Sequence, residues 1–168
     1  DQEEALSMSD RICIMRGGRI VQVGTLPPEL PFPANSLMAL SRERIADELM
    51  KLLGVAAPVQ AIRLMIEGGI FLPILPEVTA AGADRLERLI ARESESGIAA
   101  SAQRRLAALL PPDPATAELV GARLKLSNKA RKRMAMALES GRDGESVRAM
   151  AHRIGTESAI DRVLLNAD

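Results

Sequence analysis

From residue 41 onward, apolar residues recur along the chain at the spacing of one helix face. Ile45, Leu49 and Leu52 form the first such stripe. Ser41 is a residue type that caps helix N-termini, and Gly54 is suited to end the helix. The pattern therefore predicts a helix between these two residues, with its apolar stripe in a core.

The same kind of pattern continues to the C-terminus. It predicts helices over residues 58–68, 81–95, 101–110 and 113–123, followed by three that begin near Ser127, Gly144 and Thr156. Asp113 followed by Pro114 is a strong helix start, since it joins a cap to a proline at the first helical position. Short loops separate these segments. The fold class predicted is mainly α, a compact array of about seven or eight helices.

The first part of the chain has a different pattern. Residues 12–15 and 19–24 are rich in β-branched residues and flank Arg16-Gly17-Gly18, which predicts a short N-terminal β-hairpin. Four prolines in residues 25–33 predict a linker. The predicted organisation is a helix end and hairpin over 1–25, a Pro-rich linker over 26–34 and a helical domain over 35–168. We expect the hairpin to pack poorly, because an isolated hairpin is marginally stable in water.

The amino-acid composition limits the kinds of core and functional site that the chain can form. Hydrophobic residues make up 47% of the chain, yet Phe32 and Phe71 are its only aromatics, so aliphatic side chains must fill the core. One cysteine, Cys13, excludes an internal disulfide, and one histidine, His152, disfavours a histidine-based zinc site or a Ser-His-Asp triad. No apolar run approaches the roughly 20 residues of a membrane span. The acidic start does not resemble a signal peptide, and a cytoplasmic protein is expected.

Charge is informative only where it is clustered, because 22 basic and 22 acidic residues balance overall. Residues 123–133, RLKLSNKARKR, carry six positive charges and no acid. With Ser127 as cap, the helix would turn Ala130 to the core and Lys129, Lys132 and Arg133 to solvent. Such a face could contact RNA phosphates; the alternative is a solvated basic surface. The predicted RNA-binding residues are Lys125, Lys129, Arg131, Lys132 and Arg133, with Arg104 and Arg105 as a second patch of the same kind.

The opening segment resembles a known family. Asp10-Arg11-Ile12, Gly18-Arg19-Ile20 and Gly24-Thr25 match the strand pair that follows the switch histidine in ATPase subunits of ABC importers. The resemblance covers about the first 30 residues. The chain has no GxxxxGK[ST] phosphate loop, so the resemblance implies a fragment without ATP hydrolysis.

The helical part resembles a second family. SRERIADELMKLL, RLMIEGGIFLPILPE, QRRLAALLP and RLKLSNKARKR occur in series. Together they resemble the helical neck and body of bacterial CCA-adding tRNA nucleotidyltransferases and their poly(A) polymerase relatives. The resemblance covers residues 34–168 and implies tRNA as the partner. The chain thus resembles a junction of two unrelated fragments.

The second resemblance also implies what the chain lacks. In that family, paired carboxylates in an N-terminal head bind Mg²⁺ and carry out catalysis, and this chain has no D-x-D motif. We therefore expect no cofactor or metal in this chain, no catalytic residue and no nucleotide addition. The neck motif remains, and in it Glu43, Arg44 and Glu48 would support the nucleotide pocket. The alternative for Arg44 and Glu48 is an ordinary surface ion pair one helical turn apart.

The leading interpretation is a non-catalytic, tRNA-binding helical domain that functions in tRNA 3′-end processing. Two alternatives stay open at this stage. The chain could be a soluble helical interaction module without an RNA partner, or the tail fragment of an ABC transporter ATP-binding subunit. Binding of tRNA that weakens steeply with salt would separate the first interpretation from the interaction module.

Overall fold

The computed structural model describes residues 11–16, 19–25, 42–140 and 145–166. Two strands, β1 (Arg11–Arg16) and β2 (Arg19–Thr25), pair antiparallel, with an irregularity in register between Ile14 and Met15. The predicted Gly17-Gly18 turn, the linker over 26–34 and the Ser41 cap lie outside the described residues. The predicted domain boundaries accordingly stay predictions.

The helical array is confirmed over residues 42–140 and 145–166, which hold eight helices. In chain order these are α1 (Arg42–Gly54), α2 (Val59–Glu67), α3 (Ala80–Glu95), α4 (Ala102–Leu109), α5 (Pro114–Arg123), α6 (Asn128–Leu138), α7 (Val147–Ile154) and α8 (Thr156–Asn166).

Polar caps set the helix starts. Asp113 Oδ2 accepts a hydrogen bond from the backbone N–H of Thr116 at 2.8 Å, and Ser127 Oγ accepts one from Ala130 at 3.2 Å, both as predicted. The helix predicted to begin near Gly144 is present, and Gly144 itself lies outside the described residues. Helix α7 begins at Val147, because Ser146 Oγ accepts from the backbone N–H of Ala149 at 3.2 Å and so caps the helix.

Helix α4 lies at the centre of the array and packs against α1, α3, α6 and α8. All of its residues from Arg104 to Leu109 are buried. Gly82 allows α3 to approach closely, because a Cβ at this position would lie 2.9 Å from the carbonyl carbon of Leu109. The core is formed mainly by leucine and alanine, including Leu53, Leu86, Leu89, Leu106, Leu109, Leu110, Leu124 and Leu138.

Candidate nucleic-acid interface

Two lysines of α6 belong to the predicted basic surface and are exposed. Ala130, Met134 and Leu138 are buried, so the other side of the helix carries Lys129 and Lys132 in solvent. Neither ammonium group has a carboxylate partner in the described part of the chain. These two charges are available to an anion.

Lys125 lies just before this helix in the left-handed backbone region, at φ 54°. Its backbone N–H donates to Ala122 O at 3.0 Å, and the N–H of Leu126 donates to Gly121 O at 2.9 Å. These are the two bonds of a Schellman motif that ends α5. The Lys125 ammonium lies 2.8 Å from Glu43 Oε1 of α1. This contact joins the basic segment to the neck-motif helix.

The two other predicted cations of α6 are already paired. Arg131 Nη2 donates to Asn128 Oδ1 at 2.7 Å, and Arg131 Nε lies 3.6 Å from Glu118 Oε2. Arg133 donates from Nε to Asp161 Oδ2 at 2.6 Å, and its Nη1 lies 2.7 Å from Glu157 Oε2. The prediction that Arg133 projects freely into solvent was therefore wrong.

The cause is α8, which places Asp161 opposite Arg133. Hydrogen bonding to Asp161 raises the pKa of Arg133, against the opposing effect of burial. A run that holds six cations and no acid in sequence thus has carboxylate neighbours from other helices. Arg123 adds to this pattern, since Glu77 accepts from both of its Nη atoms at 2.8 Å.

Arg104 and Arg105 do not form the surface patch expected from sequence. They are only 5% and 3% exposed. Arg104 Nη1 donates to Glu93 Oε1 at 2.6 Å, and Arg104 Nε donates to Asp161 Oδ1 at 2.8 Å. Arg105 Nε donates to Glu93 Oε2 at 2.9 Å. These guanidinium groups hold α3, α4 and α8 together, so they cannot reach a nucleic acid at the surface.

Arg105 has a further structural role at the end of α1. Its Nη1 donates to the carbonyl oxygens of Leu53 at 2.8 Å and Val55 at 2.6 Å. The last carbonyls of a helix have no partner within the helix, and a buried cation satisfies them. Arg105 therefore holds the C-terminal end of α1 against the core.

The neck-motif residues Glu43, Arg44 and Glu48 are exposed on α1. Glu48 Oε1 accepts a hydrogen bond from Lys51 Nζ at 2.7 Å, and this bond raises the pKa of Lys51. Glu43 pairs with Lys125, as described above. A role for these residues in supporting a nucleotide pocket stays a prediction.

Three arginines on α3 were missed by the sequence analysis. Arg85, Arg88 and Arg92 line a cavity of about 310 Å³ between α3, α4 and the C-terminal ends of α6 and α8. Their spacing of three, then four residues places them on one helix face. The sequence shows this spacing, but the acidic residues between these arginines gave no indication of a basic helix face.

The described residues do not fit a divalent-metal site. No group of three or more His, Cys, Asp or Glu side chains among them could hold a metal ion. In the same described part of the chain, no helix combines the length and the apolar character of a membrane span.

Comparisons with known proteins support both resemblances. Residues 33–81 match the model of the protein family described as "Probable RNA and SrmB- binding site of polymerase A". This segment runs from the end of the predicted linker through α1 and α2 to the start of α3.

A second match is to the spermidine/putrescine import ATP-binding protein PotA of Fusobacterium nucleatum. It is 49% identical over 39 residues, which are 23% of this chain and 10% of that protein. The chain thus spans about a tenth of the length of this curated relative. No solved structure matches the chain.

Proposed function

We propose that the helical part of this chain is an RNA-binding module and that its RNA is tRNA. The observation that carries the proposal is the pair Lys129 and Lys132, which are exposed in the first two turns of a capped helix and lack carboxylate partners in the described residues. Lys129 lies in the first turn, where the helix N-terminus adds a partial positive charge to its ammonium group.

The position of this surface supports the proposal. Lys125 contacts Glu43 at 2.8 Å, and Glu43 lies in the segment that matches the RNA-binding-site family. The exposed lysines and the matched segment therefore lie on adjacent parts of the molecule. An RNA strand that runs along α1 would meet Lys125 and then α6.

Binding of this kind would depend on charge and on the shape of the RNA. Lysines contact phosphates as point charges, and they release counterions from the nucleic acid when they do so. With Phe32 and Phe71 as its only aromatics, the chain has little means of stacking on bases. We expect little discrimination between RNA sequences of the same fold.

We further propose that this chain adds no nucleotides itself and that it derives from a CCA-adding tRNA nucleotidyltransferase. The family's catalysis uses Mg²⁺ held by paired carboxylates, and this chain has no D-x-D motif. We expect the module to work in the cytoplasm, where tRNA ends are completed. Incorporation of labelled CMP or AMP into tRNA above a protein-free blank would contradict this part of the proposal.

The direct test is charge inversion at the two exposed lysines. The double variant K129E/K132E should bind tRNA more weakly at low salt, and the slope of log affinity against log salt should fall by about one for each lost phosphate contact. Arg133 is left unchanged in this variant, because Asp161 needs it as a partner.

A matched control is R148E, which inverts an exposed arginine on α7 that has no partner in the described residues. It should leave tRNA affinity and salt slope close to those of the parent. If K129E/K132E binds tRNA as tightly as the parent at low salt, the basic surface is only a solvated face. Binding to an unstructured RNA of the same length, measured in parallel, tests whether tRNA is preferred.

A further inference from the structure

The cavity beside α3 has the features of an anion site. Arg85 and Arg92 are partly buried at its wall, and Arg88, one helical turn from each, is exposed at its edge. The other lining residues are mostly apolar, and they include Leu89, Leu138 and Leu164. No carboxylate lines this cavity among the described residues.

Two of the three guanidinium groups are fixed in position by backbone carbonyls. Arg85 Nε donates to Ala108 O at 3.0 Å, and its Nη2 donates to Leu110 O at 2.6 Å. Arg92 Nη1 donates to Leu164 O at 2.9 Å. Groups held in this way lose little freedom when a ligand binds. The other N–H groups of these arginines, and all those of Arg88, have no bonded partner among the described residues.

The acids nearest to this charge bond to α2. Asp84 Oδ1 and Glu87 Oε2 both accept from Arg63 Nη2, at 2.7 Å and 2.9 Å. Asp84 lies one helical turn before Arg88 and offsets part of the positive charge, but it forms no bond with Arg85, Arg88 or Arg92 in the described part of the chain. Burial lowers the pKa of Arg85, and the nearby charge of Arg88 lowers it further, while the charge of Asp84 acts in the opposite direction without outweighing them.

We propose that this cavity binds a phosphate group, with Arg88 and the free N–H groups of Arg85 and Arg92 as donors. Guanidinium groups bind phosphate oxygens through paired, charge-assisted hydrogen bonds. The apolar wall beside them suits a compact organic group attached to the phosphate, and a volume of about 310 Å³ is at the small end of ligand sites. The phosphate could come from a free nucleotide or from an RNA backbone. The site is separate from Lys129 and Lys132, so the two proposals can fail independently.

The test compares the full-length chain with its R88Q variant, because Arg88 makes no bond within the described fold and its loss should not change stability. Titration calorimetry at low salt would use pyrophosphate, AMP and a short RNA hairpin as probes. We expect R88Q to weaken binding of the bound probe about tenfold or more, which is the effect of losing a charge-assisted hydrogen bond. Control variant R148Q removes another exposed arginine and should bind as the parent does.

The three probes distinguish the two sources of phosphate. A loss confined to pyrophosphate and AMP assigns the site to a free nucleotide, and a loss confined to the hairpin assigns it to an RNA backbone. The melting temperature gives a second readout, since a bound phosphate compound should raise it in the parent and not in R88Q. If the parent binds none of the probes, or if R88Q binds them equally well, the proposal is wrong.

Discussion

Arg133 Nε lies 2.6 Å from Asp161 Oδ2, and this contact joins α6 to α8. Asp161 is 1% exposed, and its other oxygen accepts from Arg104 Nε at 2.8 Å. One buried carboxylate is thus shared by two arginines from different helices. In the sequence, the positive charges of Arg104 and Arg133 indicate RNA binding. In the fold, they compensate the buried negative charge of Asp161.

The first prediction contrasts Arg133 with its neighbour. R133Q should lower the free energy of unfolding by about 2–3 kcal/mol, because Asp161 loses a charge-assisted partner in a buried position. K132Q, one residue away and exposed, should change it by less than about 0.5 kcal/mol. Urea denaturation followed by circular dichroism would measure both. Equal midpoints for the two variants would show that Arg133 does not stabilise the fold.

The second prediction concerns Arg105. R105M should lower the free energy of unfolding by about 3–5 kcal/mol. It removes one partner of a buried ion pair and leaves the carbonyls of Leu53 and Val55 without their donor. R88M on the neighbouring helix is the matched control and should change stability by less than about 0.5 kcal/mol. A loss below about 1 kcal/mol for R105M would indicate that water replaces the arginine at the end of α1.

Helix periods and caps make most of the array readable from sequence. The Asp113 and Ser127 starts are correct because a cap is a local interaction between a side chain and a backbone N–H two or three residues away. The surface charge could not be read in the same way. Whether an arginine is free depends on carboxylates that the fold brings from elsewhere, as Asp161 is brought to Arg133 across 28 residues.

For the same reason, the sequence did not show which arginines of the candidate sites are buried and which are available. Arg104 and Arg105 read as a basic surface pair, yet Glu93 and Asp161 lie beside them in the core. Arg88 lies between acids in the sequence, which predicts a neutralised charge, yet Asp84 and Glu87 bond to Arg63 of α2 in the fold. The local sequence predicts on which face of a helix a charged residue lies. It does not predict which other helix packs against that face.

The third prediction tests the close approach of α3 to α4. G82A should lower the free energy of unfolding by about 1–3 kcal/mol, because the new methyl group meets the backbone of Leu109, which cannot move aside as a flexible side chain would. G54A is the matched control, since a Cβ at Gly54 meets nothing within 4 Å. It should be neutral or stabilising, by up to about 1 kcal/mol, through helix propensity. Equal effects of the two substitutions would contradict the close contact between Gly82 and the backbone of Leu109.

The fourth prediction concerns the left-handed backbone of Lys125. K125G and K125A both remove the contact with Glu43, so the difference between them isolates the backbone effect. K125G should be more stable than K125A by about 1 kcal/mol, because glycine adopts a φ of this sign without strain. Thermal unfolding of the two variants would measure the difference. An alanine variant as stable as the glycine variant would mean that the turn after α5 relaxes to another conformation.

The last prediction is a pH dependence at Glu77. Its hydrogen bonds to Arg123 lower the pKa of this carboxyl group, and they outweigh burial, which acts in the opposite direction. A lowered pKa in the folded state means that the pair stabilises the fold fully above the ordinary glutamate pKa of about 4.3. The stabilisation is lost as the pH falls through the lowered value and Glu77 takes up a proton.

A double-mutant cycle of E77Q and R123Q, measured by urea unfolding at several pH values, would isolate this contribution. The coupling energy should be about 1 kcal/mol at pH 7, a modest value because both side chains are partly exposed to water. It should approach zero in acid well below about pH 4.3, where the pair no longer holds opposite charges. A coupling that stays constant down to pH 2 would show that the bond between these side chains does not depend on the charge of Glu77.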